Sequence, residues 1–216
     1  MAEHQITVWG VGTGRAFRVH WALREMGLAY ETVPIQARTG ETQTQDYARL
    51  NPKRKIPFFR DGDVAISESA AIVQYLFRVH GEAAGLYVPG DAKAQALSDE
   101  WCYTVMTEFD AHSLYLIRRH KYLSEIYGTA PEAVASAEEY FLKQLRAMAP
   151  KIAAAGPYLF GERLGAADIL LTTCLDWAAA YDLAIDDASQ VFRARANARP
   201  AYRAARQANA VPQADR

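Results

Sequence analysis

The sequence predicts two domains of different class, an α/β domain followed by an all-α domain. Before residue 81, short β-branched or aromatic runs alternate with stretches whose apolar residues recur at helical spacing. Residues 81–91 contain glycines and a proline, as linkers do, and beyond them only long Ala- and Leu-rich helical stretches follow. We therefore expect an α/β domain at 1–80, a linker at 81–91 and an all-α domain at 92–210.

The first domain has the predicted order βαβαββα. A strand–helix–strand start implies a parallel pair of strands. The turn Asp61-Gly62-Asp63 lies between two apolar runs and predicts a tight antiparallel hairpin. The predicted strands are 5–9, 30–35, 56–59 and 64–66, and the predicted helices are 16–26, 46–50 and 68–80. Together they predict a small mixed sheet covered by helices.

The second domain is predicted to be a helical bundle. Glycine, proline or paired aspartates separate its helical stretches. The predicted helices are roughly 92–122, 131–154, 166–180 and 188–210. None of the apolar runs approaches the ~20 residues that a membrane span needs.

Composition argues against several classes of function. Of the 216 residues, 24 are Lys or Arg and 25 are Asp or Glu, which gives a net charge of −1. Such a balance does not favour nucleic acid or an anionic membrane as a partner. The N-terminal residues lack the charged-then-apolar order of a signal peptide. Cys102 and Cys174 are too far apart for a metal motif, and His112 and His120 lack ligand spacing, so we expect a cytoplasmic protein without a metal.

The segment Asn51-Pro52-Lys53-Arg54-Lys55-Ile56-Pro57 is the first informative motif. Pro57 stands where a strand begins, a position that suits an edge proline in trans or a cis bond in a tight turn. In the cis case the backbone N–H and C=O of Ile56 would turn outward. They could then pair with an extended peptide ligand, as an added strand does.

A second motif, Ser67-Glu68-Ser69, directly precedes an apolar helix. One interpretation is helix capping, in which a serine accepts from the first helical N–H groups. The other is a carboxylate site, with the Ser69 hydroxyl and the backbone N–H groups as donors. The motif alone leaves both interpretations open.

The two motifs together resemble those of the cytosolic glutathione S-transferases, with serine-type bacterial members as the most similar kind. Asn-Pro-x-x-Lys-Ile-Pro is followed, 12 residues after Ile56, by Glu-Ser-x-Ala-Ile-x-x-Tyr-Leu from Glu68 to Leu76. The stretch 161–170 (GERLGAADIL) is similar to the family's helix-capping segment, with Asp168 matching its aspartate. Gly165 departs from the Ser or Thr that is common there. The resemblance covers nearly the whole chain and implies a thioredoxin-like first domain.

This resemblance implies a binding site for glutathione as co-substrate. Ile56, with Pro57 after it, would clasp the cysteinyl backbone, and Lys55 would reach the glycyl carboxylate. Glu68 and Ser69 would hold the γ-glutamyl end. The charges fit, because glutathione carries two carboxylates and one amine.

The resemblance also places the catalytic position in the turn before the first helix. Thr13 stands where serine-type members carry their serine, and its hydroxyl would favour the glutathione thiolate; Arg15 could add positive charge. No Ser, Cys or Tyr lies between residues 9 and 17. Two alternatives remain: Thr13 and its glycine neighbours form only a turn, or backbone N–H groups activate the thiol together with Arg15.

The second substrate is expected against the first helix of the bundle. Its predicted contacts are Tyr103, Met106, Thr107, Asp110, His112 and Tyr115. The predicted reaction is attack of glutathione thiolate on a small hydrophobic electrophile, with organic hydroperoxide reduction as a further activity. A non-catalytic binding or assembly protein is the main alternative, and a glutathione-dependent isomerase or ether-cleaving enzyme is a third. By the family pattern we expect a homodimer.

Overall fold

A computed structural model describes residues 5–212 of the chain. Its internal contacts divide it into two compact units. Among the described residues, the first unit contains 5–86 and 198–212, and the second contains Tyr87–Asn197. The predicted fold class, a thioredoxin-like α/β domain and an all-α domain, is confirmed.

The first unit is built on a mixed sheet of four strands in the order β2-β1-β3-β4. The strands are β1 (Thr7–Trp9), β2 (Glu31–Val33), β3 (Phe58–Asp61) and β4 (Val64–Ser67). β1 pairs with β2 in parallel and with β3 antiparallel, and Val8 lies opposite Phe59. The hairpin turns at Gly62, whose φ of 56° is readily adopted only by glycine. β3 begins after Pro57 rather than at Ile56, since proline cannot donate to a strand ladder.

Four helices of residues 5–212 belong to this unit: α1 (Gly14–Glu25), α2 (Gln45–Leu50), α3 (Ser69–Leu76) and α10 (Pro200–Ala208). A 3₁₀ turn, Glu41–Gln43, precedes α2, and a π-helical turn, Phe77–Gly81, continues α3. α1 packs against both α3 and α10. Eight consecutive residues of α1, from Ala16 to Leu23, are buried, which makes this helix the centre of the unit.

The C-terminal helix α10 departs from the predicted organisation. The stretch 188–210 was expected to be one helix of the second domain, but it breaks at Arg199, which is extended. The residue before a proline avoids helical geometry, and Pro200 then starts a new helix. Tyr202 of α10 packs edge-to-face on Phe17 and Trp21 of α1, with ring centroids 5.1 Å apart in both pairs. The residues from Ala198 onward therefore complete the first unit.

The second unit is entirely helical among the residues described. Its helices are α4 (Ala92–Thr104), α5 (Tyr115–Ile117), α6 (Ser124–Tyr127), α7 (Pro131–Ala154), α8 (Ala166–Ala180) and α9 (Asp187–Asn197). The predicted helix 92–122 is continuous, but Val105–Leu114 and Arg118–Tyr122 have π-helical hydrogen bonding. None of the helices within residues 5–212 is both long and apolar enough to cross a membrane.

A buried carboxylate fixes the start of α8. Asp168 accepts the N–H of Gly165 at 2.6 Å and the N–H of Leu159 at 2.8 Å. A β-carbon at Gly165 would lie 3.1 Å from the ring of Tyr87. The glycine that departs from the family pattern thus leaves room for that ring, while Asp168 supplies the capping contact from inside the helix.

Candidate functional site

The turn between β1 and α1 places Thr13 at the N-cap of α1. Its backbone is extended, and its Oγ1 accepts the N–H of Ala16 at 3.1 Å. That bond uses a lone pair of the hydroxyl oxygen, so the hydroxyl hydrogen remains to be donated. The turn-only interpretation and the donor interpretation of Thr13 are therefore compatible. Arg15, in the first turn of α1, is half-buried.

Two glycines hold this turn close to the rest of the unit. Gly10 has φ 124°, and a β-carbon there would lie 2.6 Å from Cβ of Ile56. Gly12 has φ 75°, and a β-carbon there would lie 2.7 Å from Cγ2 of Val211. Both distances are shorter than carbon atoms tolerate, and both φ values suit glycine. Because Gly10 has no side chain, Ile56 can lie close to the turn that contains Thr13.

The start of α3 carries the second candidate group. Glu68 is its N-cap residue with φ 77° and ψ 111°, an unusual conformation for a residue other than glycine. Within the described chain, the Glu68 side chain does not accept from the first turn of α3. Ser69 is the first helical residue and is 2% exposed. Its Oγ accepts from Nη1 of the buried Arg18 at 3.3 Å.

The capping interpretation of the serines is therefore wrong. Ser69 lies one position too late to be the N-cap, and its oxygen is used by Arg18. Since a guanidinium can only donate, Ser69 accepts there and keeps its own hydrogen for another partner.

The loop that ends at Ile56 is fixed by two donors that share one acceptor. Tyr47 Oη and Asn51 Nδ2 each donate to the carbonyl oxygen of Lys55 at 2.7 Å. Asn51 also accepts the N–H of Lys53 through Oδ1 at 3.2 Å. These hydrogen bonds explain why the motif contains an asparagine at residue 51. The Ile56–Pro57 bond that follows is cis.

Charges of both signs lie beside this loop. Lys53 Nζ donates to Glu68 Oε1 at 2.7 Å, and the two side chains are 51% and 65% exposed. Lys55 is exposed on the same loop. An exposed pair of this kind contributes only about 0–1 kcal/mol to folding, so each partner is available to a charged ligand.

Two buried groups near the turn and the loop are neutral at pH 7. Burial raises the pKa of Tyr47 to about 12, so its hydroxyl remains a donor. Burial lowers the pKa of His20, which contacts the carbonyl oxygen of Gly10 through Nε2 at 3.1 Å and Tyr30 Oη through Nδ1 at 3.0 Å. His20 thereby connects α1 to the residue that ends β1.

The six predicted electrophile contacts lie in the second unit and differ in exposure. Tyr103, Thr107 and His112 are exposed, Met106 and Tyr115 are half-buried, and Asp110 is fully buried. Five of the six lie in or beside the π-helical Val105–Leu114.

Sequence reasoning missed three residues that the structure brings to the first-unit site: Arg18 below Ser69, Lys53 beside Glu68, and Asn209 beside Thr13. Each acts across a long sequence separation, which periodicity does not reveal. The signal for Arg18 was an arginine within an otherwise buried helical stretch.

These features define a thioredoxin-like domain with a polar site at the starts of α1 and α3, joined in sequence to an all-helical domain. Residues 4–78 match the family model "Glutathione S-transferase, N-terminal domain", and residues 105–200 match "Glutathione S-transferase, C-terminal domain". The chain belongs to the glutathione S-transferase family. The family predicted from the motifs is confirmed.

Curated relatives and a solved structure that are similar to this chain are also glutathione S-transferases. Glutathione S-transferase Z2 of Arabidopsis thaliana is 31% identical over 157 residues, 72% of this chain and 68% of the relative. Glutathione S-transferase 1 of Triticum aestivum is 38% identical over 101 residues, 45% of this chain and 42% of the relative. The theta class glutathione S-transferase of Xanthomonas axonopodis pv. citri, solved with glutathione bound, is 27% identical, with a TM-score of 0.76 over 98% of this chain and 99% of that chain.

The matched region is short in some relatives. In three plant glutathione S-transferases, from Triticum aestivum, Hyoscyamus muticus and Nicotiana tabacum, the chain spans only 42% to 45% of the relative's length.

Proposed function

We propose that this protein is a glutathione transferase, which uses glutathione as co-substrate and adds its thiolate to a small hydrophobic electrophile. The observation that carries this proposal is the start of α3. There Ser69 accepts from Arg18 and keeps a hydrogen to donate, while Glu68 does not cap the helix. A helix start with unused N–H groups and a hydroxyl donor suits a carboxylate.

Glutathione matches the charges around this point. Its γ-glutamyl carboxylate would bind at Ser69 and the N–H groups of α3, and its amine would bind the Glu68 carboxylate. Its glycyl carboxylate would reach Lys55, and Ile56, followed by Pro57, would pair with the cysteinyl backbone. Lys53 would exchange Glu68 for the ligand amine, an exchange of low cost because the pair is exposed.

Thr13 is the proposed activating group. Its hydroxyl hydrogen would be donated to the glutathione sulfur, with Arg15 adding positive charge. A thiol with pKa about 8.5 is only a few per cent ionised at pH 7, so a depression of ~2 units would make thiolate the main species. The same thiolate could attack an organic hydroperoxide, giving an alcohol and a sulfenic acid that a second glutathione converts to disulfide and water.

The electrophile is proposed to contact the stretch that contains Tyr103, Met106, Thr107, Asp110, His112 and Tyr115, of which Asp110 is the least accessible. A homodimer and a cytoplasmic location complete the proposal. Light scattering tests the first, and a mass of one chain would refute it. Cell fractionation tests the second.

The experiment that tests the function is an ultraviolet titration of glutathione bound to the purified protein. Thiolate absorbance is followed against pH, and the affinity for S-methylglutathione, which lacks the thiol, is measured in parallel. We expect the bound thiol to titrate well below its solution pKa. Binding with an unshifted pKa would favour a non-catalytic glutathione-binding protein, and no binding of either ligand would refute the proposal.

A further inference from the structure

The residues that follow α10 contact the turn that carries Thr13. The N–H of Gly12 donates to the carbonyl oxygen of Asn209 at 2.9 Å. In the opposite direction, Asn209 Nδ2 donates to the carbonyl oxygen of Thr13 at 3.2 Å. Two hydrogen bonds of opposite sense thus join Asn209 to two consecutive residues of the turn, across 196 positions of sequence.

These two bonds restrict the orientation of the turn. Gly12 has a positive φ and Thr13 is extended, and the turn lies between Val11, whose N–H donates to the carbonyl oxygen of Ile35 at 3.0 Å, and α1. Because the two bonds to Asn209 join adjacent residues, they restrict rotation of the turn more than one of them would. The carbonyl of Thr13 accepts from Asn209 and also from the N–H of Phe17 at 2.9 Å.

Asn209 is itself held in place by a well-anchored helix. It is the C-cap residue of α10, and its N–H donates to the carbonyl oxygen of Ala205 at 2.9 Å. At the other end of α10, Arg199 makes two 2.6 Å bonds to the carboxylate of Glu25. Between these ends Tyr202 packs on α1. Asn209 therefore transmits the position of a rigid helix to the turn.

Two further observations indicate that this contact is specific. Val211 lies so close to Gly12 that a β-carbon at residue 12 would come within 2.7 Å of its Cγ2. In addition, Oδ1 of Asn209 is buried without a hydrogen-bond partner among the described residues. The hydrogen bond that the described residues give this amide is its donation to Thr13.

We propose that Asn209 is a positioning residue for Thr13, so that the amide sets the angle at which the Thr13 hydroxyl meets the glutathione sulfur. This inference rests on the proposed function of Thr13. Asn209 does not touch the reacting atoms and acts through the backbone of the turn. A displacement of about 1 Å at a catalytic group can lower a rate by about 100-fold, so a small rotation here has a measurable effect.

The test compares Asn209→Ala and the nearly isosteric Asn209→Asp with the parent protein. Both variants remove the donor to Thr13, and the aspartate also places a negative charge next to the carbonyl oxygen of Thr13. For Asn209→Ala we expect the bound thiol pKa to rise by about half to one unit, because each unit reflects a tenfold change in thiolate stabilisation. We expect a further rise in Asn209→Asp. Turnover below the thiol pKa should fall in the same proportion.

The affinity for S-methylglutathione separates positioning from general damage. It should remain within about twofold of the parent value in both variants, because the α3 site is untouched. Gln207→Ala, at an exposed position of α10, is the matched control and should leave the thiol pKa and turnover unchanged. Asn209→Asp keeps the proposal testable if the alanine variant does not fold.

Other outcomes would overturn the inference. An unchanged thiol pKa in Asn209→Ala or Asn209→Asp would refute it, as would a parallel loss of affinity for S-methylglutathione. If the bound thiol has the same pKa in Thr13→Val as in the parent protein, Thr13 is not the donor, and Asn209 then has no catalytic group to position. If the proposed function itself is wrong, the result differs from these, because the parent protein would then show no lowered pKa for the bound thiol.

Discussion

The starts of α1 and α3 lie in the same unit, and each carries a hydroxyl residue, but they are completed in different ways. At α1 the hydroxyl oxygen of Thr13 accepts a helical N–H, which is ordinary capping. At α3 the oxygen of Ser69 accepts from Arg18, and the N-cap residue Glu68 has a positive φ. A hydroxyl near a helix start can therefore stabilise the helix or leave its N–H groups to a ligand.

The largest expected effect is at α3. Ser69→Ala should weaken glutathione binding by about 1–3 kcal/mol, roughly 5- to 150-fold, as the loss of a hydrogen bond to a charged group does. Isothermal titration calorimetry measures this directly. Ser67→Ala, at the partly exposed end of β4, is the control and should bind as the parent protein does. Equal affinities for the parent and Ser69→Ala would remove Ser69 from the site.

Thr13 should show a different profile from Ser69. Thr13→Val loses the N-cap bond and should lower the free energy of unfolding by about 0.5–2 kcal/mol, whereas Thr13→Ser keeps a hydroxyl and should lose much less. Affinity for S-methylglutathione should change little in both. Urea denaturation gives the stabilities. If Thr13→Val is as stable as Thr13→Ser, the capping assigned to α1 is incorrect.

The α1 side should also be sensitive to acid. Burial lowers the pKa of His20 in the folded state, so below about pH 6.5 the unfolded chain binds the extra proton more readily. The free energy of unfolding is therefore highest above that pH. It falls as the pH drops toward the folded-state pKa of His20, by at most about 1.4 kcal/mol per pH unit. Urea denaturation at several pH values measures the slope.

The matched variant for this prediction is His20→Gln, which should be less stable at pH 7 but should have a shallower acid slope than the parent. Identical slopes in the two proteins would show that another group causes the acid sensitivity.

The smallest expected effect is a gain in stability at α3. Glu68 has a backbone conformation that costs a residue other than glycine about 1–3 kcal/mol. Glu68→Gly removes this strain but gives the unfolded chain more freedom, which offsets about 0.5–1 kcal/mol. We expect a net gain of roughly 1 kcal/mol, with weaker glutathione binding. Thermal unfolding detects the gain.

Glu68→Gln separates the two effects of that substitution, because it keeps the strained backbone and removes only the charge. It should bind glutathione weakly without gaining stability. A Glu68→Gly protein that is less stable than the parent would argue against strain at this position.

The sequence predicted most of the architecture because hydrophobic periodicity reports the buried face of each element. The order βαβαββα and the helices 131–154 and 166–180 are found as expected. The observed ends of the helices and strands differ from the predicted ones by a few residues, and the predicted helix 188–210 is interrupted at Arg199. That break was detectable, since the residue before a proline resists helical geometry.

The site was predicted less completely, for a physical reason. Lys55, Glu68 and Ser69 were named because their motifs resemble those of the glutathione S-transferases, and each of these motifs is a short continuous stretch of sequence. Arg18 and Asn209 act across long separations, 51 positions to Ser69 and 196 positions to Thr13. A single sequence contains no local pattern for such pairs, which only the packing of α1 against α3 and α10 creates.

The membership of α10 in the first unit has a consequence for biosynthesis. The sheet, α1 and α3 leave the ribosome early, but Tyr202, which packs on Phe17 and Trp21 of α1, emerges only with residues 200–208. At about 5–20 residues per second, synthesis of the intervening residues takes roughly ten seconds, and during this time the two aromatic rings lack their contact with Tyr202. A chaperone that binds apolar surface could bind the nascent chain in that interval.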